Sequence, residues 1–246
     1  MKLEGAVALV TGGAKGLGLG IAVHLQSLGA QVVVVDLDAQ ALDGLPEGLQ
    51  GHVLDVTRPE DVKVVVNEVV EKHGRIDILV NNAGVIFSEP MVNIMNPAAM
   101  MHDYDRFRQS ITTNLDSVFI MTTAVVEQMV LRRTKGVIIN ISSISARGNE
   151  GQTAYAAAKG GVNAMTVTWS KELGRLGIRC NAVAPGFIGT DSTHHALSES
   201  ILKHIQSNTP LRRLGDAVEI AKAVATVAEN DFINGAILDV NGGLTI

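Results

Sequence analysis

A chain of 246 residues with 46% hydrophobic content is long enough to bury a sizeable core, and one domain over 1–246 is expected. A net charge of −5 without a basic cluster argues against nucleic acid as a partner, and no apolar run approaches the roughly 18 residues that span a bilayer. Met1-Lys2-Leu3-Glu4-Gly5 has no charged-then-apolar leader pattern, which makes the cytoplasm the expected compartment.

Residues 6–10 form a short apolar run suited to a buried parallel strand. It leads into Thr11-Gly12-Gly13-Ala14-Lys15-Gly16-Leu17-Gly18 and then the helical pattern Ile21, Leu25, Leu28. In a strand–turn–helix unit, glycines let the backbone approach a phosphate and the helix N-terminus offers free N–H donors. The spacing Gly12-x3-Gly16-x-Gly18 departs from the common G-x-G-x-x-G, so a tight turn without a ligand stays open as the other reading. A second strand ends on Asp36, eighteen residues past Gly18, close to where a dinucleotide fold places a carboxylate on the adenosine ribose.

Strands are expected near 6–11, 32–36, 51–55, 76–81, 136–142, 178–184 and 236–240. Helices are expected over 16–28, 59–73, 103–133, 152–174, 192–206 and 216–228. Such alternation predicts an α/β fold, a doubly wound parallel sheet of about seven strands with helices on both faces. Ligands bind beyond the carboxyl ends of such strands. Asp36, Asp55, Asn81, Ser142 and Pro185 all fall at or just past a predicted strand end.

Tyr155-Ala156-Ala157-Ala158-Lys159 is the second chemical signal. Residues i and i+4 of a helix point the same way, so the lysine is held beside the phenol. A cation about 4 Å away is worth up to about 4 kcal/mol at intermediate dielectric, enough to bring a phenol toward neutral pH as an acid/base. Taken alone the spacing is a weak signal, more often that of a solvated helix face.

Together these pieces resemble the short-chain dehydrogenase/reductase family. They run in order through Thr11-Gly12-x3-Gly16-x-Gly18, Asp55-Val56, Asn81-Asn82-Ala83-Gly84, Asn114, Ser142, Tyr155-x3-Lys159, Pro185-Gly186 and Thr190, with Ser142 thirteen residues before Tyr155. The resemblance covers nearly the whole chain and is broadest to 3-oxoacyl reductase-like members.

The resemblance implies a Rossmann-type fold, a nicotinamide cofactor across the strand ends, and hydride exchange with the carbon of an alcohol or ketone. Tyr155 would be the acid/base, and Lys159 would stabilise its phenolate and hold the nicotinamide ribose. Ser142 would bond the substrate oxygen, and Asn114 would keep a water beside Lys159. Cofactor contacts would come from Gly12, Lys15, Gly16, Leu17, Gly18, Asp36, Asp55, Val56, Asn82, Ala83, Gly84, Pro185, Gly186, Ile188 and Thr190. Ile144, Gln152 and Phe187 would face the substrate, under a lid at 187–208.

Cofactor choice shows a conflict. Asp36 suits both ribose hydroxyls of NAD and repels a 2′-phosphate, and Leu37 offers no cation. Lys15 occupies a place where NADP-using relatives tend to carry a basic residue. A buried like-charge clash outweighs an exposed lysine, so NAD is the expected cofactor. The runner-up is an NADP-linked 3-oxoacyl-(acyl-carrier-protein) reductase. A non-catalytic nucleotide-binding protein is the alternative from another class, opposed by the intact Asn114, Ser142, Tyr155 and Lys159.

The remaining features are plainer. His194 and His195 are adjacent, so on a helix they diverge by about 100°, and no metal site is expected. Cys180 reads as a buried filler and Trp169 as packing. Gly160 and Gly161, with the alanines around them, suggest close helix approach, and the family commonly pairs this helix across subunits; a homotetramer is expected. Residues 86–101 form an extra surface loop, with Pro90 and Pro97 opposing helix. Its methionines either line an adaptable apolar pocket or pack under the loop, and an acyl-CoA stands among the alcohol or ketone substrates considered. The segment 229–233 looks shortened before the last strand.

Overall fold

Strand β1 (Val7–Thr11) is buried along its whole length because helices cover both faces of its sheet. The computed structural model describes residues 1–190, 193 and 197–246. Its other strands are β2 (Gln31–Asp36), β3 (Gln50–Val53), β4 (Ile78–Asn81), β5 (Gly136–Ile141), β6 (Ile178–Pro185) and β7 (Ile237–Val240). All pair in parallel, in the order β3-β2-β1-β4-β5-β6-β7. The order reverses at β1, which lies between β2 and β4, and a crevice opens beyond the carboxyl ends there.

Alternate strand residues enter opposite cores. Ala8, Val10, Val32 and Val34 join Ile21 and Leu25 of α1 (Gly16–Ser27) and Ile220 and Val224 near the chain's end. Leu9, Val33 and Val35 meet Val62 and Val66 of α3 (Pro59–His73) and Met121 and Val125 of α5 (Ser117–Leu131) on the other face. The remaining helices whose residues are all described are α2 (Ala39–Asp43), α4 (Tyr104–Ile111), α6 (Thr153–Leu173), α7 (Glu199–Asn208) and α8 (Ala217–Glu229). Among the described residues no helix is long and apolar enough to cross a membrane.

Four differences from the sequence reading have local causes. Helix α2 was not expected; its five residues are too few to show a period, and the Asp38 side chain caps it by accepting from Ala41 N–H at 3.1 Å. The long helix expected at 103–133 is instead α4, a π turn at Thr112–Asp116, and α5. The Asn114 amide drives that break by bonding the Ser110 carbonyl at 2.9 Å inside the helix and the Val85 carbonyl at 3.0 Å outside it. The helix expected over 192–206 is interrupted at Leu197 and Ser198, and α7 begins at Glu199, where Ser198 caps it. Residues 191, 192 and 194–196, including His194 and His195 and part of the expected lid, lie outside the described residues.

The fourth difference is the loop at 86–101, which is a folded flap. Val92 bridges Met101 in antiparallel fashion around a single 3-10 turn at Pro97–Ala99. Its methionines divide: Met95 is 87% exposed and Met91 61%, whereas Met100 and Met101 line an open, largely polar pocket with Glu89, His102 and Tyr104. An edge-to-face cluster of Phe87, His102 and Phe107 anchors the flap's base, with the Arg106 guanidinium 5.3 Å over Phe87. The tight 229–233 turn is held by Arg179, whose guanidinium donates to the Val227, Ala228 and Ile233 carbonyls and so caps the end of α8. Cys180 is buried, and burial pushes its thiol up to about 12, so it is an inert core residue.

Candidate active site

The glycine turn joins β1 to α1 at the reversal point. Gly12 takes a φ of +60°, which favours glycine, and a Cβ on Gly18 would run into the Gly12 carbonyl and the Asn82 amide. Thr11 Oγ1 accepts from Asn82 N–H at 3.0 Å and Ala83 N–H at 2.9 Å, while Asn82 Nδ2 donates to the Thr11 and Gly12 carbonyls. Asn82 is thus turned into the glycine loop and stiffens it rather than presenting its amide to the cleft. Lys15 sits at the N-cap of α1 with Gly16 exposed beside it, so the first-turn N–H groups face the crevice. A loop this closely packed, open on the helix side, fits a pyrophosphate.

Asp36 lies at the end of β2, one oxygen accepting from Ala14 N–H at 3.1 Å and the other from Asp38 N–H at 3.1 Å. Its neighbour Leu37 is exposed. Lys15 Nζ lies 2.9 Å from Asp38 Oδ2. Asp55 turns its carboxylate onto Thr57, which holds it below the usual carboxylate range, and Val56 packs its side chain into the core. Gly84 sits so near Asn114 that a Cβ there would lie 2.6 Å from Asn114 Oδ1 and 3.7 Å from Lys159 Nζ.

The catalytic candidates converge beyond β4 and β5. Tyr155 and Lys159 are both buried on α6. Lys159 Nζ donates to the Ile141 carbonyl at 2.8 Å and stands 5.7 Å from the Tyr155 ring centroid. The expected depression of the phenol by this cation is not found. Burial raises the pKa of the Tyr155 phenol, a Ser143 hydrogen bond lowers it in part, and Lys159 is turned toward Ile141. Burial also lowers Lys159 to about 8.

That desolvation has a stability consequence. The folded lysine releases its proton near pH 8 and the unfolded one near 10.5, so the penalty is complete below 8 and lifts as pH rises through that window. Urea unfolding of the wild type against Lys159→Met should show the wild type gaining on the variant between pH 7.5 and 10, with a full span on the order of 3 kcal/mol. A difference that stays flat over that range would show that the ammonium is solvated.

The serine expectation needs correction. Ser142 does not face the phenol: its Oγ donates to Asn163 Oδ1 of α6 at 2.6 Å, and it is 3% exposed. Ser143, not Ser142, is the serine whose hydroxyl lowers the pKa of the Tyr155 phenol, and it is the one assigned to the cleft. Extended backbone sends successive side chains to opposite sides, so only one of two adjacent serines reaches the cleft. Counting thirteen residues back from Tyr155 is blind to how the intervening 3-10 turn (Ile144–Arg147) takes up length.

Asn114 is fully buried, and its amide is committed to Val85 and Ser110 on every side. Both of its amide hydrogens are thus used, and its Oδ1 is turned onto Val85 N–H. Ile144 is buried rather than open to a substrate. Gln152 bridges Ser88 and Asn149 instead of pointing free, which ties the flap to the segment leading into α6. Ile188 packs its side chain in the core, and Phe187 is half-buried, its carbonyl accepting from Gly215 N–H at 2.9 Å. Pro185 ends β6, Gly186 N–H donates to the Val240 carbonyl, and the Thr190 hydroxyl is shared with Thr193. Leu17 is partly buried against the α1 core. No cluster of three His, Cys, Asp or Glu suited to a metal occurs among the described residues.

Ser143, Asn163, Ser110 and Asp38 were not singled out from the sequence. Only Asp38 carried a local signal, as a cap-type residue before a short polar helix.

Fold and site define a class: an oxidoreductase that takes a nicotinamide dinucleotide at the reversal point of a parallel sheet. A family model described as enoyl-(acyl carrier protein) reductase matches residues 12–245. The chain is 41% identical to 3-oxoacyl-[acyl-carrier-protein] reductase FabG of Thermotoga maritima, covering 100% of each chain. It is 40% identical to the protein of the same name from Haemophilus influenzae, over 98% of this chain and 99% of that one. The crystal structure of gox2181 superposes with a TM-score of 0.88 at 33% identity, covering 98% of this chain and 97% of that one. The chain belongs to the short-chain dehydrogenase/reductase family.

Proposed function

We propose that the protein is NAD-linked and interconverts a secondary alcohol and a ketone on an acyl thioester. The observation that carries the cofactor choice is the Asp36 carboxylate, fixed by Ala14 N–H at the edge of the glycine turn. Placed there it accepts from ribose hydroxyls and repels a 2′-phosphate. When bound, the nicotinamide supplies or takes the hydride.

The chain's own residues handle position and proton. The α1 N-terminus and glycine turn hold the pyrophosphate. Tyr155, buried and kept protonated, donates its phenolic proton to the ketone oxygen during reduction and recovers it from the alcohol on the reverse path. Ser143 orients that oxygen and the phenol together. Lys159, protonated at neutral pH, supplies positive charge beside the phenol as the proton leaves. The Asn114 side chain locks the π turn, which leaves its main-chain carbonyl as the group that would hold a water near Lys159.

Acyl thioesters are favoured by the names of the relatives and by the flap joined through Gln152 to the site. The same names support the second reading, an NADP-linked 3-oxoacyl-(acyl-carrier-protein) reductase. Assembly as a homotetramer in the cytoplasm completes the proposal; half-exposed Phe119 on α5, 6.4 Å from Trp169 of α6, marks the helix pair that would meet a partner.

Oxidation of NADH by acetoacetyl-CoA, run beside NADPH, tests the reading. Turnover with NADH exceeding that with NADPH is expected. A preference for NADPH would turn the assignment to the second reading, and no turnover with either would move the substrate away from acyl thioesters.

A further inference from the structure

Asp36 is not the only carboxylate at the adenosine end. Asp38, two residues on, closes the connection after β2 onto the one after β1 by pairing with Lys15 at 2.9 Å. Asp38 is not free to drift. Its Oδ1 caps α2 through Ala41 N–H, and its own N–H donates to Asp36 Oδ1, so its second oxygen is aimed at the lysine. The contact raises the ordinary value of Lys15 and lowers that of Asp38, chiefly through the hydrogen bond between them. Arg58, the cation past β3, is likewise engaged by carboxylates, at 3.9 Å from Asp55 and 3.6 Å from Asp61.

We infer that Asp38 is a specificity-determining residue: by holding Lys15 it withdraws from a 2′-phosphate the cation best placed to receive it, and so reinforces the exclusion made by Asp36. The inference rests on the NAD reading above. The pair is exposed, Lys15 at 66% and Asp38 at 41%, so it adds little to fold stability and acts on selectivity through where it keeps the ammonium. A phosphorylated ribose must either pull Lys15 away from a preset carboxylate or approach two carboxylates without it.

The test is calorimetric binding of NADH and NADPH to the full chain as wild type, Asp38→Asn, Lys15→Gln and the double variant. Asparagine keeps the helix cap while removing the charge. Asp38→Asn is expected to tighten NADPH by about fivefold, with NADH within about twofold. The gain should disappear in the double variant and shrink between about 0.05 and 0.5 M salt. An NADPH affinity unmoved by Asp38→Asn, or a gain that survives loss of Lys15, overturns the inference. A wild-type preference for NADPH instead overturns the NAD reading, and the four-way comparison still reports whether Asp38 restrains Lys15.

Discussion

Tyr155→Phe should lower kcat by roughly 10²- to 10⁴-fold while leaving the Kd for NADH within about twofold. The substitution removes one oxygen from a ring that is itself well packed, at 8% exposure on α6. The glycine turn, Asp36 and the packing around α1 are untouched, so the elements that hold the cofactor keep their geometry. The group lost is the hydroxyl whose pKa Ser143 lowers, on a ring that has the Lys159 ammonium 5.7 Å from its centroid. A phenylalanine cannot pass a proton to the substrate oxygen, and water has little access to this buried site. Steady-state turnover and a fluorescence titration of NADH on the same preparation separate the two effects. A kcat within tenfold of wild type would remove Tyr155 as the acid/base.

The adjacent serines should separate cleanly. Ser143→Ala removes a donor placed beside the reacting oxygen and is expected to cost about 10²-fold in kcat/KM, with about 1 kcal/mol of stability lost with the Ser145 N–H bond that its Oγ accepts. Ser142→Ala should do the reverse. Its hydroxyl serves Asn163, and truncation leaves a poorly solvated amide oxygen without its partner, at a cost of about 1–3 kcal/mol in stability. Activity per folded molecule should stay within about tenfold, because Ser142 reaches the site only through α6. Parallel kinetics and thermal melts decide it. The opposite pattern, with Ser142→Ala the inactive variant, would return the role to Ser142.

The serine pair shows where linear spacing stops being informative. Tyr155 and Lys159 were legible because both lie on one helix, whose 3.6-residue turn converts spacing directly into direction. Ser142 and Ser143 leave a strand into a 3-10 turn, where a single residue of slack exchanges which side chain enters the cleft. Asn114 was found by its place in a motif, but its side chain serves the π turn, a task the motif did not show. Its amide is consumed by Ser110 and Val85 across 29 residues of chain, an arrangement that local pattern does not encode.

By itself the sequence determined the seven-stranded sheet, since apolar runs alternating with helical periods leave few ways to bury both faces of each strand. It also determined the glycine turn and the carboxylate at the end of β2, because strand, turn and helix there are contiguous. Only the tertiary structure decided which serine faces Tyr155, that Lys15 is engaged by Asp38, and that the 86–101 segment is a flap clamped to Gln152. Each of these depends on contacts between segments brought together by the sheet. Hydrogen bonds are short-ranged and directional, so choices of that kind are made by the packed neighbours and not by distance along the chain.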